Sequence, residues 1–245
     1  MPRIDDFVTR GLKSLPPKPS DGAKQDAKKR YSERASQVLA IAFAQELIER
    51  GLKGSRPTSV GQLDPSGAER RMAGGIGAKK VDVTWATEES GLLFAISIKT
   101  INFKDKTTGN FQKNLTNRRS DMLVEAVTLH RRFPYSVLAG FMFLDKGAET
   151  DGTRKRRSTF QNAHNRMKLF TGRPDPSGRD EQFERLYLFL MDASPDKVDL
   201  RAYPIGETEK AMPLVEVFDD LVRLIAERNP DFYEEVSGSL VSVRS

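Results

Sequence analysis

The chain of 245 residues contains no cysteine, two histidines and one tryptophan. The absence of cysteine excludes disulfides, thiolate-ligated zinc and a thiol nucleophile, and it fits a reducing cytoplasm. Two histidines leave little from which to build a His-rich metal site. Long apolar runs are missing too: none approaches the ~18 residues that a membrane span requires, so no membrane partner is expected. Met1 to Lys13 alternates charges with single apolar residues and builds no signal-peptide core, so a cytoplasmic location is expected. What the chain has in abundance is charge. Charged residues make up 30% against 38% hydrophobic, and the net charge is +6 with pI ≈ 9.5. That balance describes a rather polar globular protein and leans towards a polyanionic partner.

The stretch that organises the rest is Val81-Asp82-Val83-Thr84-Trp85, followed by Leu92 to Thr100. Both runs are rich in β-branched and aromatic residues and alternate in polarity, as strands do. The polar link Thr87 to Gly91 predicts a hairpin. Period 2 places Ser97 and Lys99 on one face of the second strand, Ile96 and Ile98 on the other, and Asp82 opposite to Val81 and Val83. A carboxylate and an ammonium inside sheet-forming segments are costly to bury unless they meet each other, a metal or a phosphate.

Around this hairpin the pattern predicts a single α/β domain over residues 31–245, preceded by a flexible N-terminal arm over residues 1–30 with a short helix near Ile4 to Leu12. A helix is predicted over Tyr31 to Leu52, where Val38, Leu39, Ala42, Phe43 and Leu47 recur at helical spacing. Residues 54–79 read as a glycine-rich loop, with a short strand around Arg70 to Ala73. Ser120 is a plausible N-cap for a helix ending before Pro134. Ser136 to Leu144 and Arg185 to Met191 are apolar enough to be strands buried on both faces. Helices over Thr159 to Phe170 and Val215 to Arg228, and a strand over Val198 to Ile205, complete a mixed central sheet flanked by helices.

Asp82, fourteen residues, then Ser97-x-Lys99 in a hairpin between two helices resembles the PD-(D/E)XK nuclease superfamily. The resemblance covers roughly residues 31–145, the restriction-endonuclease-like αβββαβ core. It implies a Mg²⁺-dependent (or Mn²⁺-dependent) endonuclease that hydrolyses double-stranded DNA, of a restriction or defence type, acting as a homodimer or homotetramer. In that family the aspartate and a second acid hold the metal, and the lysine orients or activates the attacking water. Oxygen ligands suit Mg²⁺, so neither His nor Cys is required. The departure is Ser97, which stands where the family has its second carboxylate. Some tetrameric restriction endonucleases share this Ser-x-Lys arrangement and carry the missing acid on the following helix. Here that helix offers Glu125 and Asp121, four residues apart and so on one face. Glu33, with Glu46 second to it, is the candidate for a further metal-binding acid from the first helix.

Other readings stand beside this one. Lys99 taken singly is accounted for as an edge-strand charge and Asp82 as an acid near a turn; it is their pairing on one hairpin that points to a site. A non-catalytic DNA-binding or assembly protein on the same fold is the main alternative, and a metal-free hydrolase built on Ser97 is a third. His130, at a helix end, reads as structural. His164, in a basic helix, is placed to touch phosphate. Gly74-Gly75-Ile76-Gly77-Ala78-Lys79-Lys80 lacks the Walker spacing and precedes a strand, so it reads as a flexible approach to the site, near the DNA backbone. Two basic segments are candidates for DNA contact. One carries Lys104, Lys106, Lys113, Arg118 and Arg119. The other carries Arg154, Lys155, Arg156, Arg157, Arg166, Lys168 and Arg173, with Gln161, Asn162 and Asn165 among them.

Overall fold

The computed structural model describes residues 3–58, 71–194 and 196–243. The chain opens on helix α1 (Arg3–Lys13), in which Ile4, Val8 and Leu12 share one face and are buried. They pack mainly against α2 (Gln25–Glu49), which starts earlier than the apolar periodicity alone predicts. The segment after α1 is tied down as well. Leu15 is buried, Lys18 pairs with Asp145, and the Asp21 carboxylate accepts the Lys104 backbone N–H at 3.0 Å. Of the flexible arm expected over residues 1–30, the described residues form a docked helix, a strap and the start of α2, because the apolar residues of α1 fall on a single stripe.

Part of the expected glycine-rich loop, residues 59–70, lies outside the described residues. After it comes a hairpin of β1 (Arg71–Gly74) and β2 (Gly77–Lys80). This hairpin lies on α3 (Leu115–His130): the Gly75 N–H donates to the Thr128 carbonyl at 2.8 Å, and a Cβ on Gly74 would stand 2.3 Å from the Thr128 side chain. Gly74 and Gly75 permit close backbone approach to a helix; the run read as a flexible loop is a hairpin, whose last residue, Lys80, lines the groove onto which Asp82 and Lys99 open. α3 itself begins at Leu115, fed by a 3₁₀ turn over Gln112–Asn114, so Ser120 lies inside the helix and does not cap it.

The central sheet has the spatial order β3 (Val83–Thr87), β4 (Gly91–Ile101), β5 (Val137–Asp145), β6 (Arg185–Ala193) and β7 (Val198–Pro204). β3 and β4 form the antiparallel hairpin, β4, β5 and β6 run parallel, and β7 returns antiparallel. Parallel neighbours need crossovers; α3 supplies one and α4 (Thr159–Met167) the other. Along β5, Ala139, Phe141 and Phe143 enter one apolar cluster while Leu138, Met142 and Leu144 enter a second. The first cluster lies under α1, α2 and α5 (Leu214–Arg228), where Phe143 and Phe189 stack at 4.4 Å. The second lies under α3 and α4 around Met122, Leu129, Phe160 and Leu186. A last hairpin, β8 (Tyr233–Val236) with β9 (Ser239–Ser242), packs on α5. No described helix is long and apolar enough to cross a membrane.

Candidate active site

The register of the hairpin places its charged groups. Val83 pairs with Ile96, so the residue opposite Ile98 is Val81, which lies before the start of β3. The Asp82 carboxylate takes over there: its Oδ2 accepts the Ile98 N–H at 2.7 Å. Regular alternation therefore breaks at this point, and Val81 and Val83 enter opposite apolar clusters instead of one. Along β4 the alternation holds. Ile96 and Ile98 join the cluster under α2, while Ser97 and Lys99 face α3.

From α3, Glu125 reaches down to this face. Its Oε2 accepts from Ser97 Oγ at 3.0 Å and from Lys99 Nζ at 3.1 Å. Lys99 Nζ also donates to Ser97 Oγ at 2.9 Å and lies 3.6 Å from Asp82 Oδ2. Ser97, in the position where a second carboxylate was looked for, bridges the lysine and the acid from the helix. The second oxygen of Glu125, Oε1, is buried and has no hydrogen-bond partner among the described residues. An orphaned carboxylate oxygen in a buried site invites an explanation.

Burial pushes the Glu125 carboxyl above the ordinary glutamate value, and Lys99 beside it pulls it only partly back. Burial alone would push the Lys99 ammonium down, but Glu125 and Asp82 more than offset this and raise its pKa. Lys99 is therefore held as a cation between two carboxylates.

No family model, curated protein or solved structure matches this chain.

Asp82 and Lys99 open onto a groove of about 1370 Å³ that runs between α2 and the segment leading into α3. Eight basic side chains line it against three acidic ones, among them Lys28, Lys80, Lys104, Lys113 and Arg118. The other acids suggested for metal binding do not join the cluster. Glu33 borders the same groove but is exposed, with Lys29 at 3.9 Å as its neighbour. Asp121, one turn before Glu125, is exposed and faces Arg118 at 3.6 Å. Glu46 is buried, tied to Arg3 at 3.0 Å and Arg50 at 2.6 Å, and serves the packing of α1 on α2.

The basic segments divide. Lys104, Lys106, Lys113 and Arg118 line the groove, whereas Arg119 stacks over Phe170 at 5.8 Å. Arg154, Lys155, Arg156, Arg157 and Gln161 border a separate hollow beside the start of α4, and Asn165 a smaller one next to it. Arg173 is no surface cation: it is fully buried, donating to Glu184 at 3.2 Å and to the carbonyls of Pro134 and Pro176. The same Glu184 faces His130 Nε2 at 3.3 Å, so His130, the last residue of α3, is a structural histidine held in a buried polar network. Lys28, Pro57 and Thr58, unnoticed in the sequence, line the groove, as does Lys80 from the run expected to approach the site. The first three come from segments far apart in the chain, and no local pattern marks them.

Proposed function

We propose that this chain is a Mg²⁺-dependent endonuclease of restriction-endonuclease-like architecture that cleaves double-stranded DNA. The observation that carries the reading is the convergence of Asp82, Lys99 and Glu125, from three separate segments, with Asp82 and Lys99 opening onto a groove in which cations outnumber acids. The order of elements supports it. α2 is followed by a single bridge between Arg56 and Thr84, the inserted β1–β2 hairpin, the β3–β4 hairpin, α3, and β5 parallel to β4. That succession is compatible with an αβββαβ core whose first strand is reduced to one pairing.

Asp82 and Glu125 are the residues that would hold the cation. Mg²⁺ is commonly bound by one or two carboxylates, with waters and substrate phosphate oxygens completing the octahedron. Two acids therefore suffice, although no three His, Asp or Glu side chains converge among the described residues. The unpartnered Glu125 Oε1 fits this role. When bound, the metal lowers the pKa of a water and neutralises charge on the phosphate.

The protein's own groups do the rest. Lys99, which donates to Glu125 and Ser97, would orient the attacking water and stabilise developing negative charge. Ser97 fixes Lys99 and Glu125 relative to each other. Asp82 clamps the β4 backbone at Ile98, which sets the lysine one residue further on. A serine-nucleophile hydrolase finds no support in this geometry, because Ser97 donates to a glutamate and both histidines lie in other networks.

Plasmid nicking in Mg²⁺ tests the proposal. The parent should cut, chelator should stop it, and Asp82→Ala, Glu125→Gln and Lys99→Met should each lose on the order of 10²-fold or more in rate, a typical cost for removing one such stabilising group. Variants that cut like the parent would remove the site. A parent that binds duplex but never cuts would leave a non-catalytic DNA-binding protein on the same fold.

A further inference from the structure

α4 holds a second set of polar groups, away from Asp82 and Glu125. His164 is 2% exposed and sits edge-on against Phe160, with ring centroids 4.6 Å apart. The Gly206 backbone N–H donates to His164 Nδ1 at 3.0 Å. A ring nitrogen that accepts a hydrogen bond carries no proton, so in the neutral imidazole the proton resides on Nε2. Burial pushes the pKa of this ring down to about 4, against a weaker opposing pull from Glu207, and keeps it neutral near pH 7. The Nε2–H is thus a buried donor, and it has no partner among the described residues. Leaving such a donor unpaired is unfavourable, which points to an acceptor supplied from outside the chain.

His164 borders a hollow of about 230 Å³ together with Arg157, Gln161, Asn165, Lys168 and Thr208. That volume exceeds the ~30 Å³ share of one water several times over, so a tetrahedral oxyanion fits. His164 alone of these is buried; Arg157 and Lys168 are exposed and form no ion pair among the described residues. The nearby Glu207 carboxylate is turned onto the N–H groups of Glu209 and Lys210, at 3.0 and 3.4 Å. A guanidinium, an ammonium, two amides and a hydroxyl around one hollow, with the buried imidazole at its wall, match a group with several acceptor oxygens and negative charge, which is a phosphate.

The surroundings indicate which kind of phosphate. Arg157 and Gln161 also border the neighbouring hollow that carries Arg154, Lys155 and Arg156. Gln112 Nε2 donates to the Arg157 carbonyl at 3.5 Å, and the next residue, Lys113, lines the groove at Asp82 and Lys99. Cations around two adjoining hollows, linked through Gln112 to a residue next to the groove wall, suit a polymer with repeating phosphates. We propose that the His164 pocket on α4 holds a backbone phosphate of the nucleic acid bound in the groove. The identity of the phosphate's owner rests on the nuclease reading; the capacity to take a phosphate does not.

Two measurements on the full chain test this. In the first, inorganic phosphate is titrated into labelled protein at neutral pH, followed by the His164 imidazole and Gly206 amide resonances. Saturable shifts are expected in the parent, with affinity at least tenfold weaker in Arg157→Ala/Lys168→Ala and no binding in His164→Phe, whose ring preserves the packing on Phe160. In the second, a fluorescent duplex is bound in the presence of chelator, so that cleavage plays no part. The Arg157→Ala/Lys168→Ala pair, changed only at exposed positions, should weaken binding about tenfold and reduce the slope of log affinity against log salt by about 1, the value for one lost phosphate contact. Phosphate that leaves both resonances unmoved overturns the pocket. Phosphate binding with an unchanged duplex affinity and slope overturns the nucleic-acid assignment. Plasmid cutting by the parent is scored apart: its absence, with the duplex effects present, counts against the nuclease reading and leaves the pocket standing.

Discussion

Glu125 shows at a single residue how this site sets function against stability. Taking a carboxylate out of water costs several kcal/mol, and removing its buried partner typically costs ~3–5 kcal/mol more. Lys99 and Ser97 offset part of this, yet Oε1 stays unpartnered and the carboxyl is held above its ordinary value of 4.5. The linkage then has a definite sign. A carboxyl whose folded pKa exceeds its unfolded one binds more protons in the folded state, so stability falls as pH rises from 4.5 through the raised value. Glu125→Gln keeps an acceptor for Ser97 and Lys99 without a charge to bury. Urea melts of the two proteins across this range should show the variant gaining on the parent as pH rises; parallel curves would contradict the buried-carboxylate account. Mg²⁺ should return stability to the parent near pH 7 and do little for the variant, as a ligand that binds only the folded state must.

At the scale of elements, the question is what lets α3 come close enough for Glu125 to touch β4. Gly140 on β5 pairs with Ser97 on β4, directly beneath the helix. A Cβ there would stand 2.5 Å from the Met122 methyl and 2.1 Å from a methyl of Leu186, and Met122 precedes Glu125 by less than one turn. Gly140→Ala should therefore displace the ends of Met122 and Leu186 and disturb how α3 seats above the sheet. We expect a loss of ~1–3 kcal/mol from overpacking, read by urea denaturation. Cleavage should drop by about tenfold or more, since small misplacements of catalytic groups are expensive. Retention of both properties would show that α3 reaches the sheet without this gap. The same packing explains what could be read in the sequence. β5 and β6 announce themselves as apolar runs because both their faces are buried, and Asp82, Ser97 and Lys99 stand out as polar groups within strands. Whether Glu125 or Asp121 reaches the hairpin depends on the distance between helix and sheet, and no period in α3 encodes that distance. β1 reads as a short strand, but β2 and the β8–β9 hairpin are hidden for another reason. Their strands are four residues long and mostly exposed, so they lack the alternation that reveals a half-buried strand.

Over the whole molecule, two apolar clusters share one sheet, and α1 belongs to the side that carries α2. α2 in turn brings Lys28, Lys29, Ser32 and Glu33 to the groove wall. The N-terminal segment is thus continuous with the support of the groove through Ile4, Val8 and Leu12, and through the Arg3–Glu46–Arg50 ion pairs. Leu12 is 1% exposed and sits in the first cluster. Leu12→Ala should cost ~2–5 kcal/mol, the range for emptying a buried leucine site that collapses only in part. An arm that merely hangs from the fold would lose nothing. Because β5 contributes side chains to both clusters, the loss should appear as one shifted transition and not as early release of α1. Trp85 fluorescence, which reports the first cluster, and far-UV circular dichroism, which reports every helix, should give coincident midpoints in the parent and the variant. Midpoints that separate in the variant would mean that α1 and α2 form a unit able to leave the sheet, and the groove wall would then be a part that opens independently of Asp82, Lys99 and Glu125.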